Sequence, residues 1–471
     1  MHSTTKKMAS FAPSMKDLTE GSEGKLILQF AWPLLIGNIF QQMYSIVDSI
    51  IVGNFLGSEA LAAIGASFPI IFTMISFVIG IAGGFTIIIS QYFGAKDIDK
   101  VRRSIDTMYV FLFFAAITIS ALGILFTRQI FQLMQVPEEV MPLATTYLQT
   151  YFAGIILFFG FNGINAILRG LGDSKTPLYF LIIATLTNIF FDYLFVVILN
   201  TGIWGAALAT IISQGGAFIT AILYLNKNHS LVKLTTLRLI FDRSIFRKSL
   251  KIGLPSGIQN TTVSLGMMTL FGIVNTFGAS TAAAYSVALR INALASTPAM
   301  NFAAALSTFV GQNLGANKPK RVNRGLISTL IMASSIVAVM TVVIIIFKQQ
   351  LMGLFTDDAE VVRIGAHYLV IVSSFYLVFS TMFVFGGVMR GAGDTIAPMI
   401  FTLISLWVIR IPVAYFLSDI IGIDGVWWAS PIGWFTGMTG LVIYYYTGRW
   451  KKKVVVKHPD PATSSTPGQN G

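Results

Sequence analysis

Two carboxylates carry the chemistry this chain is best equipped to do, and both sit where carboxylates are rarely kept. Asp192 lies in TNIFFDYLFVV, inside an apolar run over about residues 178–199. A helix of that length crosses a hydrocarbon core of roughly 30 Å. A charged side chain at mid-depth costs roughly 2.5–3.5 kcal/mol on insertion scales. A chain keeps such a group when it faces a protein interior or a wet cavity and holds a proton or a cation. Asn188, four residues earlier, shares its helix face. Asp48 lies in QQMYSIVDSIIVG, with Gln41 and Tyr44 seven and four residues earlier on one face. Asn162 and Asn165 in GFNGINAILRG, and Thr210 in WGAALATIIS, are the other polar side chains placed within apolar runs of the same half.

If Asp48, Asn165, Asn188, Asp192 and Thr210 converge, their chemistry is that of a small-cation site. Two adjacent buried carboxylates titrate as one unit. Such a pair holds either a proton or a sodium ion, the latter on oxygens of Asp48, Asn188, Asp192 and Thr210. Gln41, Tyr44 and Asn162 are further candidates for the lining of the same cleft. Polar packing between helices is the alternative reading for Asn162, Asn165 and Thr210. Pro33 removes a helix hydrogen bond in the first half of the first span. It is the candidate hinge, bending in response to what Asp48 holds; a fixed bend is the alternative.

The elements that must position these residues are transmembrane helices. The chain has 471 residues, 55% hydrophobic and only 11% charged, with a mean hydropathy of +0.74. An average soluble domain carries roughly 25% charged residues, so this composition predicts an all-α integral membrane protein. Polar breaks divide the chain into twelve spans, at about 26–52, 60–90, 105–126, 142–168, 178–199, 203–225, 249–276, 281–311, 325–347, 361–388, 397–418 and 423–446. The polar first 25 residues lack the pattern of a cleaved signal, so the first span is expected to stay in the membrane. Of the 32 Lys and Arg, 27 fall on one side of the twelve-span arrangement. That asymmetry places both termini and the central linker in the cytoplasm. It also accounts for the net charge of +12 without nucleic acid as a partner.

The chain contains itself twice. LRGLGDSKTP at 168–177 returns as MRGAGDTIAP at 389–398, and SQYFGAKDIDKVRRSI at 90–105 returns as GQNLGANKPKRVNRGL at 311–326, both displaced by 221 residues. Six spans per copy put both copies into the membrane in the same direction. Two six-helix lobes are therefore expected, related by a pseudo-two-fold axis along the membrane normal. The divisions are a tail over 1–25, an N-lobe over 26–225, a linker over 226–248, a C-lobe over 249–446 and a tail over 447–471. In each RGxGD turn the arginine and aspartate (Arg169 and Asp173, Arg390 and Asp394) are candidates to pair. The second copy does not repeat the site: Val413 stands opposite Asp192, Ile409 opposite Asn188 and Gly386 opposite Asn165. A single site in the N-lobe is expected.

Several function classes are excluded or weakened. There is no cysteine, hence no thiolate site. The histidines, His2, His229, His367 and His458, form no pair at metal-ligand spacing, and there is no GxxxxGK[ST] loop. No catalytic residues and no cofactor are expected. An integral membrane enzyme is the alternative from another class. A flippase for lipid-linked precursors is a second alternative, with Arg290 and Arg410 as its only cationic candidates.

The duplicated RGxGD turn, the VDSIIVG segment of the first span and GAALAT in the sixth span resemble the multidrug and toxic compound extrusion (MATE) transporters, and the resemblance covers about residues 20–448. The resemblance implies efflux of small organic cations or amphipathic drugs from the cell, across the inner or plasma membrane, driven by entry of H+ or Na+. Within the family the chain is similar to the DinF-like branch. That likeness implies functional roles for Asp48, Asn165, Asn188, Asp192 and Thr210, and for the bend-forming Pro33. The C-lobe acids of the NorM-type branch are absent here. The protein is expected to act as a monomer in the lipid bilayer.

Overall fold

A computed structural model describes residues 16–228, 231–233 and 239–456. Lys6, Lys7, Arg238 and Lys457, which enter the orientation argument, and His2, His229 and His458 lie outside the described residues.

The chain runs as α1 Glu23–Gly57, α2 Glu59–Gly94, α3 Ile98–Leu133, α4 Met141–Ala153, α5 Ile155–Gly170, α6 Lys175–Asp192 and α7 Ile203–Asn228. The second half is α8 Arg243–Asn275, α9 Ala279–Gly315, α10 Pro319–Gly353, α11 Ala359–Ser373, α12 Tyr376–Ala392, α13 Ile396–Leu403, α14 Ile411–Ile421 and α15 Ile423–Tyr446. A π-helical turn, Tyr193–Ile198, extends α6, and another, Ile404–Arg410, joins α13 to α14. Eight helices are individually long and apolar enough to cross a bilayer. Two more crossings are bent pairs, α4–α5 by 51° and α11–α12 by 50°. The last two crossings are α8, which opens on Arg243, Arg247, Lys248 and Lys251, and α15, rich in Trp, Tyr and Gly. The protein is thus an all-α membrane protein of two six-span lobes. The linker is shorter than its polar sequence suggests, because α7 continues to Asn228 and α8 begins at Arg243.

The repeat persists in the backbone. Gly57 breaks α1 from α2 at φ 83°, and its counterpart Gly278 opens α9 at φ 99°, a region closed to most side chains. The bends fall at Gly154 and at Phe375, again 221 residues apart, with φ/ψ of −96°/0° and −109°/11°. Glycine and phenylalanine share no intrinsic preference, so the bend comes from the packing of the lobe.

In hydrocarbon, helices gain little by burying apolar surface that lipid would cover equally well. Close backbone contact and buried hydrogen bonds carry more of the association. Accordingly, α2 packs against α8 through small residues: a Cβ at Gly80 would lie 2.6 Å from the backbone nitrogen of Gly257. The lobes also exchange the beginnings of their first helices. Ile27, Phe30 and Ala31 of α1 pack in a core with Phe302, Leu306 and Phe309 of α9. Ile245 and Ile252 of α8 pack with Phe85, Ile89 and Ile105 in the N-lobe core. The two lobes are therefore clasped at the end that carries the termini.

Pairing across the RGxGD turns does not occur. Asp173 instead accepts from the backbone N–H of Lys175 and of Thr176, each at 3.0 Å, and from the Thr176 hydroxyl at 2.6 Å. Arg169 donates to the Asn165 carbonyl at 3.2 Å, and Asp394 accepts from the Tyr444 hydroxyl at 2.7 Å. Free N–H groups at a helix start are closer to a short aspartate than a guanidinium four residues back.

Candidate functional site

Asp48 and Asp192 face each other inside the N-lobe. Asp48 stands on α1 and Asp192 ends α6, and each side chain lies within interaction range of the other. Asp192 is 1% exposed and Asn188, one turn earlier, also 1%. The Asn188 amide lies beside the Asp192 carboxylate, yet neither carboxylate oxygen of Asp192 and neither polar atom of Asn188 has a hydrogen-bond partner. Two carboxylates within interaction range of each other, one of them buried with no hydrogen bond made to it, are electrostatically incomplete. Each unmet buried polar atom costs roughly 1–3 kcal/mol, and more when charged. A shared proton or a cation removes that deficit.

The local sequence explains the placement. The α-helical run of α6 ends at Asp192, and the next turn is π-helical, with Leu199 N–H reaching Leu194 O at 2.9 Å. A π turn holds one extra residue and so resets which side chains face inward; such turns are common at functional sites. Asn200 at φ 50° and Gly202 at φ 70° then reverse the chain into α7, which carries Thr210.

A cavity of about 460 Å³ opens beside the pair. Asp48, Gln41, Tyr44, Asn162, Asn165 and Thr210 line it, and so does Pro33. Asn188 and Asp192 are not part of that lining. The Tyr44 and Thr210 hydroxyls meet at 3.4 Å, and Thr210 also donates to Ala206 O at 3.3 Å. Asn162 donates to the Phe158 carbonyl at 2.9 Å, which is helix packing rather than ligation. The side-chain carbonyl of Asn165 is buried and unpartnered. Pro33 is buried in a helix whose only non-helical dihedrals are at Gly57. Among the described residues no three His, Cys, Asp or Glu side chains gather as a metal site. A sodium ion here would depend on amide and hydroxyl oxygens in addition to the two acids.

Sequence reasoning passed over several members of the lining. Tyr147 and Tyr151 close the cavity near the acids, and Gln214 brings an unpartnered Oε1. Their signal was present: Tyr147 and Tyr151 stand four apart on α4, and Gln214 follows Thr210 by four on α7. Asn38, also in the lining, donates to the Asn301 side chain at 2.8 Å, a polar bridge from α1 to α9 of the other lobe.

Two duplicated lobes of six crossings, with an incomplete acidic pair beside a cavity in one of them, define a membrane transporter. The chain belongs to the MatE family, whose members are transporters and not enzymes: the family profile matches residues 33–194 and again 255–416. The probable multidrug resistance protein YpnP of Bacillus subtilis (strain 168) is 34% identical over 436 residues, 92% of this chain and 97% of that protein. The FAD transporter of Shewanella oneidensis (strain ATCC 700550 / JCM 31522 / CIP 106686 / LMG 19005 / NCIMB 14063 / MR-1) is 25% identical over 448 residues, covering 92% and 97% of the two chains. A solved structure, described as the outward-facing conformation of a multidrug resistance MATE family transporter of the MOP superfamily, shares the fold. Its TM-score is 0.88 at 24% identity, over 94% of this chain and 100% of that one.

Proposed function

We propose that the protein is a secondary active exporter of cationic or amphipathic organic compounds, working by antiport against protons, or against sodium, with both termini in the cytoplasm. The observation that carries this reading is the proximity of Asp48 and Asp192 at the N-lobe cavity, with both Asp192 oxygens buried and without a hydrogen-bond partner. Antiport follows from competition. A proton or Na+ and a cationic substrate are each stabilised by the same negative charge, so binding of one weakens binding of the other by the same coupling free energy. The two-lobe architecture supplies the second requirement, alternating access around the site. The name of YpnP agrees with drug efflux; that of the FAD transporter marks a relative with a different cargo. Neither cationic candidate of the flippase reading lines the cavity, since Arg410 is buried in the C-lobe and Arg290 is exposed; the cation that does line it, Arg169, donates to the Asn165 carbonyl of its own helix.

The test is transport of a fluorescent cationic dye by the purified protein in proteoliposomes, with a pH or a sodium gradient imposed separately. One of the two gradients is expected to drive accumulation, and Asp48→Asn and Asp192→Asn are each expected to lower it at least tenfold. Equal accumulation with neither gradient, or full transport by both variants, would falsify the antiport reading.

A further inference from the structure

The described chain continues past its last crossing and changes lobes. After α15 closes at Tyr446, Gly448 at φ 69° turns the backbone. Arg449–Lys453 then form a 3-10 turn that leads into Val454, Val455 and Val456.

The segment begins firmly on the C-lobe. Trp450 is 1% exposed, in the core that holds Phe309, Phe385 and Val388. Its ring stacks on Tyr445, 5.4 Å between centroids and 16° between planes, and its Nε1 donates to the Tyr445 carbonyl at 3.0 Å. A buried tryptophan whose N–H is satisfied is a strong anchor. Val454 packs on the same core. The Lys453 carbonyl lies against Gly393, where a Cβ would approach it to 3.1 Å; Gly393, at φ 90°, belongs to the C-lobe RGxGD turn.

The far end rests on the N-lobe, and less firmly. Val455 and Val456 pack on the core that holds Phe85, Ile88 and Ile105, and the Val455 N–H donates to Gln91 Oε1 at 2.7 Å. Both valines are only half-buried. Arg449, Lys451, Lys452 and Lys453 are exposed and enter no ion pair among the described residues, so charge does not hold the segment down. The crossing on the N-terminal side is tied more tightly. Leu18 is fully buried, its N–H donates to Gln312 Oε1, and its carbonyl accepts from Asn313 and Arg321 at 3.1 and 3.4 Å. Lys318 adds a bond to the Thr19 carbonyl at 3.0 Å.

The length between the two attachments is short. Trp450 to Val455 spans at most about 17 Å fully stretched, and the 3-10 turn coils most of it at about 2.0 Å per residue. Separation of the lobes at this end pulls on that span. The valines, with one hydrogen bond and partial burial, yield before the tryptophan.

We propose that Arg449–Val456 is a releasable latch across the end that carries the termini. Trp450 stays with the C-lobe; Val455 and Val456 dock on the N-lobe when that end is closed and undock when it opens. The latch rests on the alternating access of the reading above and is indifferent to which ion drives it.

The experiment joins the latch to its dock. Gln91→Cys and Val455→Cys are combined in the full chain, which has no native cysteine, and bridged with a bifunctional methanethiosulfonate. In proteoliposomes under the driving gradient, bridging is expected to lower dye transport at least tenfold and dithiothreitol to restore it, while the reagent leaves each single-cysteine variant unaffected. Full transport by the bridged protein, or failure of the two positions to bridge, overturns the proposal. A second readout uses neither dye nor gradient, so it decides the latch even if the antiport reading falls. A Val455→Asp, Val456→Asp variant keeps the anchor and puts charge on the docking face. Spin labels placed in pairs at Asp99→Cys, Lys320→Cys and Lys452→Cys, all exposed positions, follow the N-lobe, the C-lobe and the latch. A longer distance between positions 99 and 452 is expected to gain population severalfold in that variant, while the distance between 320 and 452 keeps its wild-type value. An unchanged distribution between 99 and 452, or a lengthening between 320 and 452 instead, overturns the proposal.

Discussion

Gln91 of α2 and Gln312 of α9 occupy the same place in the two repeats, and each crosses to the other lobe. Gln91 donates to the Gly391 carbonyl at 3.0 Å, and Gln312 donates to the Gly170 carbonyl at 3.3 Å. Gly170 and Gly391 are themselves repeat equivalents in the two RGxGD turns. The side-chain oxygens complete the pattern: Gln312 accepts from the N–H of Leu18 at 2.9 Å and Gln91 from that of Val455 at 2.7 Å. Each end of the described chain is thus tied to the lobe farther from it in sequence. The close approach that permits this comes from Gly94, packed on the Gln312 backbone, and Gly315, packed on that of Gln91.

These crossings must break if the lobes are to part at the end that carries the termini. Each hydrogen bond contributes on the order of 1 kcal/mol net, and about 1.4 kcal/mol is tenfold in population. Replacing both glutamines by alanine removes four such bonds and is expected to raise the population open at that end by well over tenfold. Spin labels at Asp99→Cys and Lys320→Cys, equivalent exposed positions on α3 and α10, would report it as a longer distance component. The chain has no native cysteine to remove first. An unchanged distance distribution would mean that the glutamines do not hold the lobes together.

Asp192→Asn separates stability from transport. The substitution places an amide donor against the Asp48 carboxylate, where the native pair has none. One satisfied hydrogen bond in place of a carboxylate contact is expected to stabilise the fold by about 1 kcal/mol, seen as a higher melting temperature in detergent. Transport falls in the same variant. A lower melting temperature would count against the picture of an incomplete pair.

Asp173 is expected to matter as a cap and not as half of an ion pair. Asp173→Ala strands the N–H groups of Lys175 and Thr176 at the start of α6 and should cost about 1–2 kcal/mol in thermal unfolding. Asp173→Asn keeps an acceptor oxygen in place and should cost distinctly less. If asparagine proves as damaging as alanine, the negative charge itself is needed, and a partner such as Arg169 must supply the reason.

The sequence by itself determined what each residue decides alone. Hydropathy is a property of a segment, so twelve crossings could be read from composition along the chain. The repeat could be read from a constant displacement, and the one-sided acids from the positions of Asp48 and Asp192. Only the tertiary structure decided which helix faces meet. That Asp48 faces Asp192, 144 positions away, depends on the rotation of α1 against α6 and on the π turn that follows Asp192. Asp173 turned to the backbone because the start of α6 lay within its reach and Arg169 did not. Arg410 read as an isolated basic residue near a span; its want of a counter-charge appears only once its neighbours, Met267, Tyr285 and Tyr368, are known. A pairwise contact has no signature in either partner's own segment, because packing of the intervening helices sets it.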